Sequence, residues 1–318
     1  MSSNEPLNGI HHVTAIAGDP QRNVDFYAGT LGLRLVKRTV NFDDPGTYHL
    51  YFGDEAGHPG TILTFFPWPG APRGHRGAGQ ATVVSFSVPP DALAFWEERL
   101  RKHGVRFEAV ESPFDESILE FSDPDGLALE LVADSRKVLG RPWAAAPVPA
   151  AQAIRGFHSV ALLEHVHTGT EQMLMEVMGF QFARTVGHRR RYTADDGGPA
   201  AYVDIVSAPD ASPGRVAVGT VHHVAWRVAS DEGQAAWRQR LLEAGVNVTP
   251  VRDRQYFRSI YYHEPGGVLF EIATDPPGFT IDEPPAALGA ALRLPPWLEP
   301  RREALEARLP RLRLPDRG

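Results

Sequence analysis

Apolar and polar positions alternate along this chain in a pattern that occurs four times. Each time, an alternating or wholly apolar run with the period of a strand gives way to a stretch of helical spacing, then a glycine, then a second strand-like run. These passages read Phe26-Tyr27 to Gly32 to Leu35-Val36, Phe95-Trp96 to Gly104 to Phe107, Met173-Leu174 to Gly179 to Phe182, and Trp237 to Gly245 to Val248. Each glycine stands where a helix can end in the left-handed conformation that a side chain makes costly. Two more strand-like runs follow. In the second copy they cover 117–121 and 127–132, in the fourth 259–262 and 268–273, with Asp-Pro-Asp-Gly or Glu-Pro-Gly-Gly supplying the turn. The unit is strand, helix, three strands, and the predicted class is α+β with four βαβββ modules.

Copies one and three, and copies two and four, are the nearest to each other. "GIHHVTAI" from Gly9 matches "GFHSVALL" from Gly156, Arg38-Thr39-Val40 returns as Arg184-Thr185-Val186, and "LALELVAD" matches "VLFEIATD". An ancestral pair has been duplicated. The expected organisation is an N-terminal domain of two modules (1–140), a Pro, Ala and Gly-rich linker (141–152), a C-terminal domain of two modules (153–279) and a proline-rich tail (280–318). Within the tail a short amphipathic helix is predicted at about 299–309, with Leu305 and Leu309 four apart, as packing or contact material.

Composition narrows the chemistry. The 318 residues are 42% hydrophobic and carry a formal charge of −7, with Lys and Arg scattered among acids, so no broad basic surface for nucleic acid is expected. Residues 1–8 show no secretory signal and no apolar run reaches spanning length, which points to the cytoplasm and away from a membrane. There is no cysteine, so thiolate nucleophiles, zinc ribbons and iron–sulfur clusters are excluded. A metal must bind nitrogen and oxygen, and 13 histidines supply the first.

Aligning the modules places His12, Ser85, Ser159 and His223 at one first-strand position, and Thr64, Glu130, Asp204 and Glu271 at one last-strand position. Modules one and two then offer only His12 and Glu130 as good donors. Modules three and four offer His223, Glu271 and Asp204, but Ser159 stands where a second imidazole is needed, because alternation turns His158, aligned with His11, to the other face. Modules one and four offer His12, His223 and Glu271, with Thr64 leaving one direction without a strong ligand. Two histidines and one carboxylate with open positions are the arrangement of non-haem Fe(II) sites, although ligand type does not separate Fe(II) from Mn(II). The doublets His11-His12-Val13 and His222-His223-Val224 occur in those two modules alone. Each histidine could instead be a hydrogen-bonded strand residue, yet Glu271, interrupting an apolar run, would bury an uncompensated charge unless a cation met it. Glu130 reads as a structural carboxylate and His158 as part of a relict site; His49, His58, His75, His103, His165, His167, His188 and His263 are assigned no chemistry.

The stretches "GIHHVTAIAGDPQRNVDFY", "TVHHVAWRV", "DRQYFRSIYYHEPGGVLFEIATDPPGF" and "LPPWLEPRR" resemble the glyoxalase, bleomycin-resistance and extradiol-dioxygenase (vicinal-oxygen-chelate) superfamily, and within it the hydroquinone-type ring-cleaving dioxygenases. The resemblance to the superfamily covers the chain to about Phe279, and the near-terminal stretch beyond it belongs to the likeness to the hydroquinone-type enzymes. The resemblance implies curved mixed sheets built from paired modules, metal on His12, His223 and Glu271, and roles around metal or substrate for His11, Thr14, His222, Arg254 and Tyr261. It also implies a small aromatic substrate, a hydroquinone or a catechol, whose ring is opened with O2. His11 or His222 would then move protons, Tyr261 would hydrogen-bond the phenolate, and Arg254 would hold charge in the pocket. From the residues alone, Arg254 and Tyr261 equally fit a salt-bridge arginine and a half-buried strand tyrosine. A glyoxalase-like isomerase and a non-catalytic drug-binding protein are the alternatives on the same scaffold, and a homo-oligomer is compatible with all three readings.

Overall fold

The computed structural model describes residues 5–136, 140–194, 198 and 200–314, so the ends of residues 1–8 and of the tail lie outside the described residues. The four modules are present in the predicted order. The first comprises β1 (Ile10–Ala17), α1 (Pro20–Val24, continued by a π-turn, Asp25–Thr30), β2 (Arg34–Val40), β3 (Tyr48–Gly53) and β4 (Ile62–Pro67). The second comprises β5 (Gln80–Val88), α2 (Leu93–Lys102), β6 (Phe107–Glu111), β7 (Ser117–Ser122) and β8 (Ala128–Ala133). The third comprises β9 (Phe157–Glu164), α3 (Thr168–Gln172, with its own π-turn, Met173–Val177), β10 (Gln181–Val186), β11 (Arg189–Thr193) and β12 (Tyr202–Ser207). The fourth comprises β13 (Thr220–Val228), α4 (Asp231–Glu243), β14 (Arg252–Asp253), β15 (Arg258–His263) and β16 (Leu269–Thr274). The four glycines that close the helices have φ of +73° (Gly32), +70° (Gly104), +79° (Gly179) and +76° (Gly245), as their spacing predicts.

One module departs from the pattern. The strand expected at Val248 shrinks to the two residues of β14, since Pro250 has no N–H to donate and Thr249 pairs instead through its own N–H and hydroxyl with Tyr261.

Two curled eight-stranded sheets result, ordered β14-β15-β16-β13-β1-β4-β3-β2 and β10-β11-β12-β9-β5-β8-β7-β6. The first joins modules one and four, and the second joins two and three. Within a module the first and last strands run parallel, while the first strands of partner modules, β1 with β13 and β5 with β9, pair antiparallel at the sheet centre. Hydrogen bonding thus runs between the two halves of the chain. The helices pack the convex faces with the aromatic and apolar positions of the helical pattern, Tyr27, Trp96, Leu174 and Trp237 all being buried. Among the described residues no helix is long and apolar enough to cross a membrane.

Segment 141–152 does not hang free. Arg141 N–H meets Asp54, Val148 fills the space beside Gly32, and Trp96 Nε1 donates to Gln152 O at 2.8 Å. The tail turns back over the first module, where Leu305 of α5 (Arg302–Arg308) and Leu309 just after it are buried in the main core and residue 292 bridges to Arg38 of β2. Beneath the strap Lys37, fully buried, meets Asp282 and Glu283, each at 2.5 Å.

Candidate metal centre

The centre of the first sheet is where two imperfect strands meet. Ile10 faces Trp226 and His12 faces Ala225, so His11 is an extra residue in β1; Thr14 faces His223 and Ala15 faces Val221, so His222 is an extra residue in β13. A bulge breaks strict alternation and re-aims side chains. Instead of pointing away from its neighbour, His11 brings Nδ1 to 2.9 Å from His12 Nδ1, and His222 brings Nδ1 to 2.7 Å from His223 Nδ1. The two doublets are related by a pseudo-twofold axis between the strands.

On that axis three buried donor atoms converge. His12 Nε2 lies 3.4 Å from His223 Nε2, and Glu271 Oε2 lies 3.4 Å from the first and 2.9 Å from the second. Ligands about 2.1 Å from one ion stand ~3.0 Å apart at right angles and ~3.4 Å apart at tetrahedral angles, so all three donors could reach a single ion. Glu271 is wholly buried, its Oε1 accepts from Ser259, and its Oε2 accepts no hydrogen bond. An orphaned carboxylate oxygen facing two imidazole nitrogens fits a divalent cation, and among the described residues this is the group of His, Asp and Glu side chains so arranged. Burial raises the Glu271 carboxyl, but His12 and His223 outweigh it and hold it well below the usual range. Burial, followed by the neighbouring imidazole, pushes His11 well down and His222 to about 3, so both second histidines stay neutral.

Each doublet has one consistent proton arrangement with Nε2 left as a ligand. His12 and His223 carry their proton on Nδ1 and donate it to His11 and His222, whose own protons then sit on Nε2.

Beside the triangle opens a cavity of about 300 Å³, at the small end for ligand sites and suited to a single ring. His222, Tyr261 and Arg254 line it together with His12, His223, Phe66, Trp68 and Phe257. His11 and Thr14 do not: both are buried behind the wall, His11 against Phe257 and Thr14 on the hydroxyl of Thr64 at 2.9 Å. Arg254 donates from Nε to the Tyr261 hydroxyl at 3.1 Å and pairs with Asp43, so the salt-bridge arginine of the plainer expectation is also a cavity residue. It is thrust inward by a strained γ-turn, in which Gln255 has φ +68° and Tyr256 N–H bonds Arg254 O at 2.8 Å. Burial and the Glu271 charge raise the Tyr261 hydroxyl, which stays protonated.

His49, to which sequence reasoning gave no chemistry, belongs to the site. It lines the cavity between Tyr51 and Phe66, with Nδ1 2.8 Å from Tyr51 Oη and Nε2 2.7 Å from Thr64 Oγ1. The pseudo-twofold explains it. Tyr51 faces Thr64 as Tyr261 faces Glu271, so His49 sits where Ser259 sits in module four, and each braces its last-strand residue.

The second sheet shows the same plan without the ions' donors. Extra residues fall at Thr82 and His158, so Val83, not Ser85, occupies the place of His12 in module two; Ser159 holds the corresponding place in module three. Ser85 instead corresponds to Thr14 and donates to Glu130 at 2.5 Å, which is the structural carboxylate expected there. The bulge also corrects the expected orientation of His158: its Nδ1 lies 3.0 Å from Ser159 Oγ and its Nε2 3.2 Å from Glu116. Asp204, at the Glu271 position, is neutralised by the Arg191 guanidinium through bonds of 2.8 and 3.0 Å. An arginine does there what a metal would do in the first sheet.

Comparison with known proteins agrees with this geometry. Residues 9–131 and 172–282 match the Glyoxalase/Bleomycin resistance protein/Dioxygenase superfamily. A Bacillus subtilis protein named as a ring-cleaving dioxygenase, MhqO, is 50% identical over 94% of each chain, and the chlorohydroquinone/hydroquinone 1,2-dioxygenase of Sphingobium indicum is 38% identical over 94% of this chain and 95% of its own. The crystal structure of a dioxygenase from Bacillus subtilis superposes with a TM-score of 0.94 at 47% identity, covering 98% of this chain and 99% of that one. The pairing of modules, the bulged histidine doublets and these likenesses lead to one statement: the chain belongs to the Glyoxalase/Bleomycin resistance protein/Dioxygenase superfamily, as a close relative of the Bacillus ring-cleaving dioxygenases.

Proposed function

We propose that this protein is a cytoplasmic Fe(II)-dependent dioxygenase that opens the ring of a hydroquinone- or catechol-type substrate with O2. The observation that carries the reading is the three-donor face of His12, His223 and Glu271 with a ring-sized cavity on its open side. Similarity to the ring-cleaving relatives supports the same chemistry. Thr64, in the mirror position of Glu271, supplies no second carboxylate as a fourth ligand, which favours the oxygenase over an isomerase with a filled coordination sphere.

Fe(II) held by these residues would supply a Lewis acid that lowers the pKa of a coordinated hydroxyl and a path for ring electrons to O2. The rest of the work falls to side chains. His11 and His222 fix the tautomer and ring orientation of the two ligating imidazoles. His222 presents its Nε2 proton to the cavity, where it can be donated to a substrate-side oxygen and taken back. Tyr261 accepts from Arg254, so its own hydroxyl proton is available to a phenolate oxygen. Arg254 holds negative charge near it, and Phe66, Trp68 and Phe257 exclude water and clasp the ring. Thr14 acts from behind the wall, through Thr64.

Anaerobic loading with Fe(II), followed by oxygen-electrode assays with hydroquinones and catechols, tests the reading. One O2 consumed per ring opened is expected. Turnover of a thiohemiacetal without oxygen uptake would replace the dioxygenase by an isomerase, and aromatic binding that is indifferent to metal would leave only a binding protein.

A further inference from the structure

Among the described residues bordering the cavity, Asp43, Arg252 and Arg254 are those that carry a full charge at neutral pH, apart from the metal centre. They stand at its mouth, since Asp43 and Arg252 are about half exposed while the three metal-facing residues are buried. Asp43 lies between the two guanidinium groups, with Oδ2 2.9 Å from Arg254 Nη2 and Oδ1 3.6 Å from Arg252 Nη1.

Both partners are held in place by backbone. The turn that carries Asp43 is built by Asn41, whose Oδ1 accepts from Asp43 N–H at 3.0 Å and whose carbonyl accepts from Asp44 N–H at 3.1 Å, and it closes through Asn41 N–H to Thr47 O at 2.8 Å. On the opposite side the γ-turn at Gln255 aims Arg254. The Asp43 carboxylate takes no part in building its own turn, so its charge is directed at the cavity mouth. Two adjacent arginines without it would make a fork for a carboxylate.

We propose that Asp43 is a specificity-determining residue that occupies Arg252 and the outer Nη2 end of Arg254, leaving Arg254 Nε on Tyr261, and repels carboxylates at the cavity mouth, so that the cavity accepts phenolic rings without a carboxylate and refuses those bearing one. This rests on the reading of the cavity as the aromatic substrate site. Unit charges a few ångströms apart near a protein surface change an equilibrium by about tenfold or more, and a charge set against the wrong ligand is an economical source of selectivity.

The experiment uses the full chain loaded anaerobically with Fe(II), as wild type, Asp43→Asn and Asp43→Glu. Calorimetry gives the affinities for phenol and 4-hydroxybenzoate, and kcat/KM is measured for hydroquinone and 2,5-dihydroxybenzoate. Wild type should prefer the neutral member of each pair, Asp43→Asn should shift both ratios at least about tenfold toward the carboxylate, and Asp43→Glu should retain the wild-type ratio. Because the asparagine keeps the turn, folding is preserved, and the glutamate variant separates charge from packing. An unchanged ratio in Asp43→Asn, or the same shift in Asp43→Glu, overturns the proposal. If hydroquinone is not cleaved but the binding ratio shifts, ring cleavage falls and Asp43 stands; cleavage with no shift gives the reverse.

Discussion

A histidine beside a metal-ligating histidine on a regular strand would face away from it; His11 and His222 face toward theirs because each is the extra residue of a bulge. Their Nδ1 atoms accept hydrogen bonds from the Nδ1–H groups of His12 and His223, and such supporting contacts typically carry about 10–100-fold in metal affinity. His11→Ala and His222→Ala should each lower Fe(II) affinity by that factor in chelator competition, whereas Glu271→Gln should abolish stoichiometric metal. Affinities equal to wild type in both histidine variants would remove the tautomer argument. The three converging donors were legible because the doublets and the interrupting glutamate are chemically conspicuous. His49 was not, since a lone histidine in a polar setting carries no signal of its own. The available clue was positional: His49-x-Tyr51 aligns with Ser259-x-Tyr261 once the modules are superposed.

At the level of strands, register decides which residue of each repeat reaches the axis. Similar strings placed Ser85 in the His12 position, but the bulge at Thr82 moves the frame, and Val83 arrives there instead. A single inserted residue changes the face of everything after it, and no apolar period records it. The last-strand positions carry no bulge, and their alignment held: Thr64, Glu130, Asp204 and Glu271 are equivalent by pairing with their first strands. It follows that Thr64→Glu would bring a second carboxylate to the axis opposite Glu271. The expected result is tighter metal retention in dialysis together with at least a hundredfold loss of oxygen uptake, as an open position is filled. Full oxygen uptake in a metal-loaded Thr64→Glu protein would show that this direction is not used.

Across the molecule, each sheet joins modules from opposite ends of the chain, and the tail returns to strap the first of them. Lys37 under that strap is buried, with its ammonium between Asp282 and Glu283. Lys37→Met should destabilise by about 1.5–3 kcal/mol in denaturant titration, because it leaves the buried Glu283 with only Arg293 and two backbone N–H groups as partners, and adding Glu283→Gln should recover part of the loss. The joint between modules three and four holds a second stress point. Glu164 and Glu264, both buried, share the Thr170 hydroxyl at 2.7 and 2.5 Å, and burial with the Glu264 charge lifts Glu164 to about 8. A carboxyl raised in the folded state contributes stability that is complete below its unfolded value near 4.5 and is lost as pH rises through about 8. The Tm advantage of Glu164→Gln over wild type should therefore grow from pH 5 to pH 8 and then level off; a difference independent of pH would contradict this.

From the residues alone came the βαβββ repeat, the glycine-closed helices, the cysteine-free donor set and the choice of modules one and four, because periodicity, turn chemistry and donor type are properties of neighbouring residues. Tertiary structure alone decided the rest: the two bulges that fold each histidine doublet together, the entry of His49, the arginine that replaces a metal in the second sheet, and the meeting of Asp43 with Arg252 and Arg254. The bulges and the Asp43 contacts join segments some two hundred residues apart, and His49 and Arg191 reach their partners across strands 13–15 residues away; in both cases register and side-chain direction decide the contact, and sequence spacing records neither.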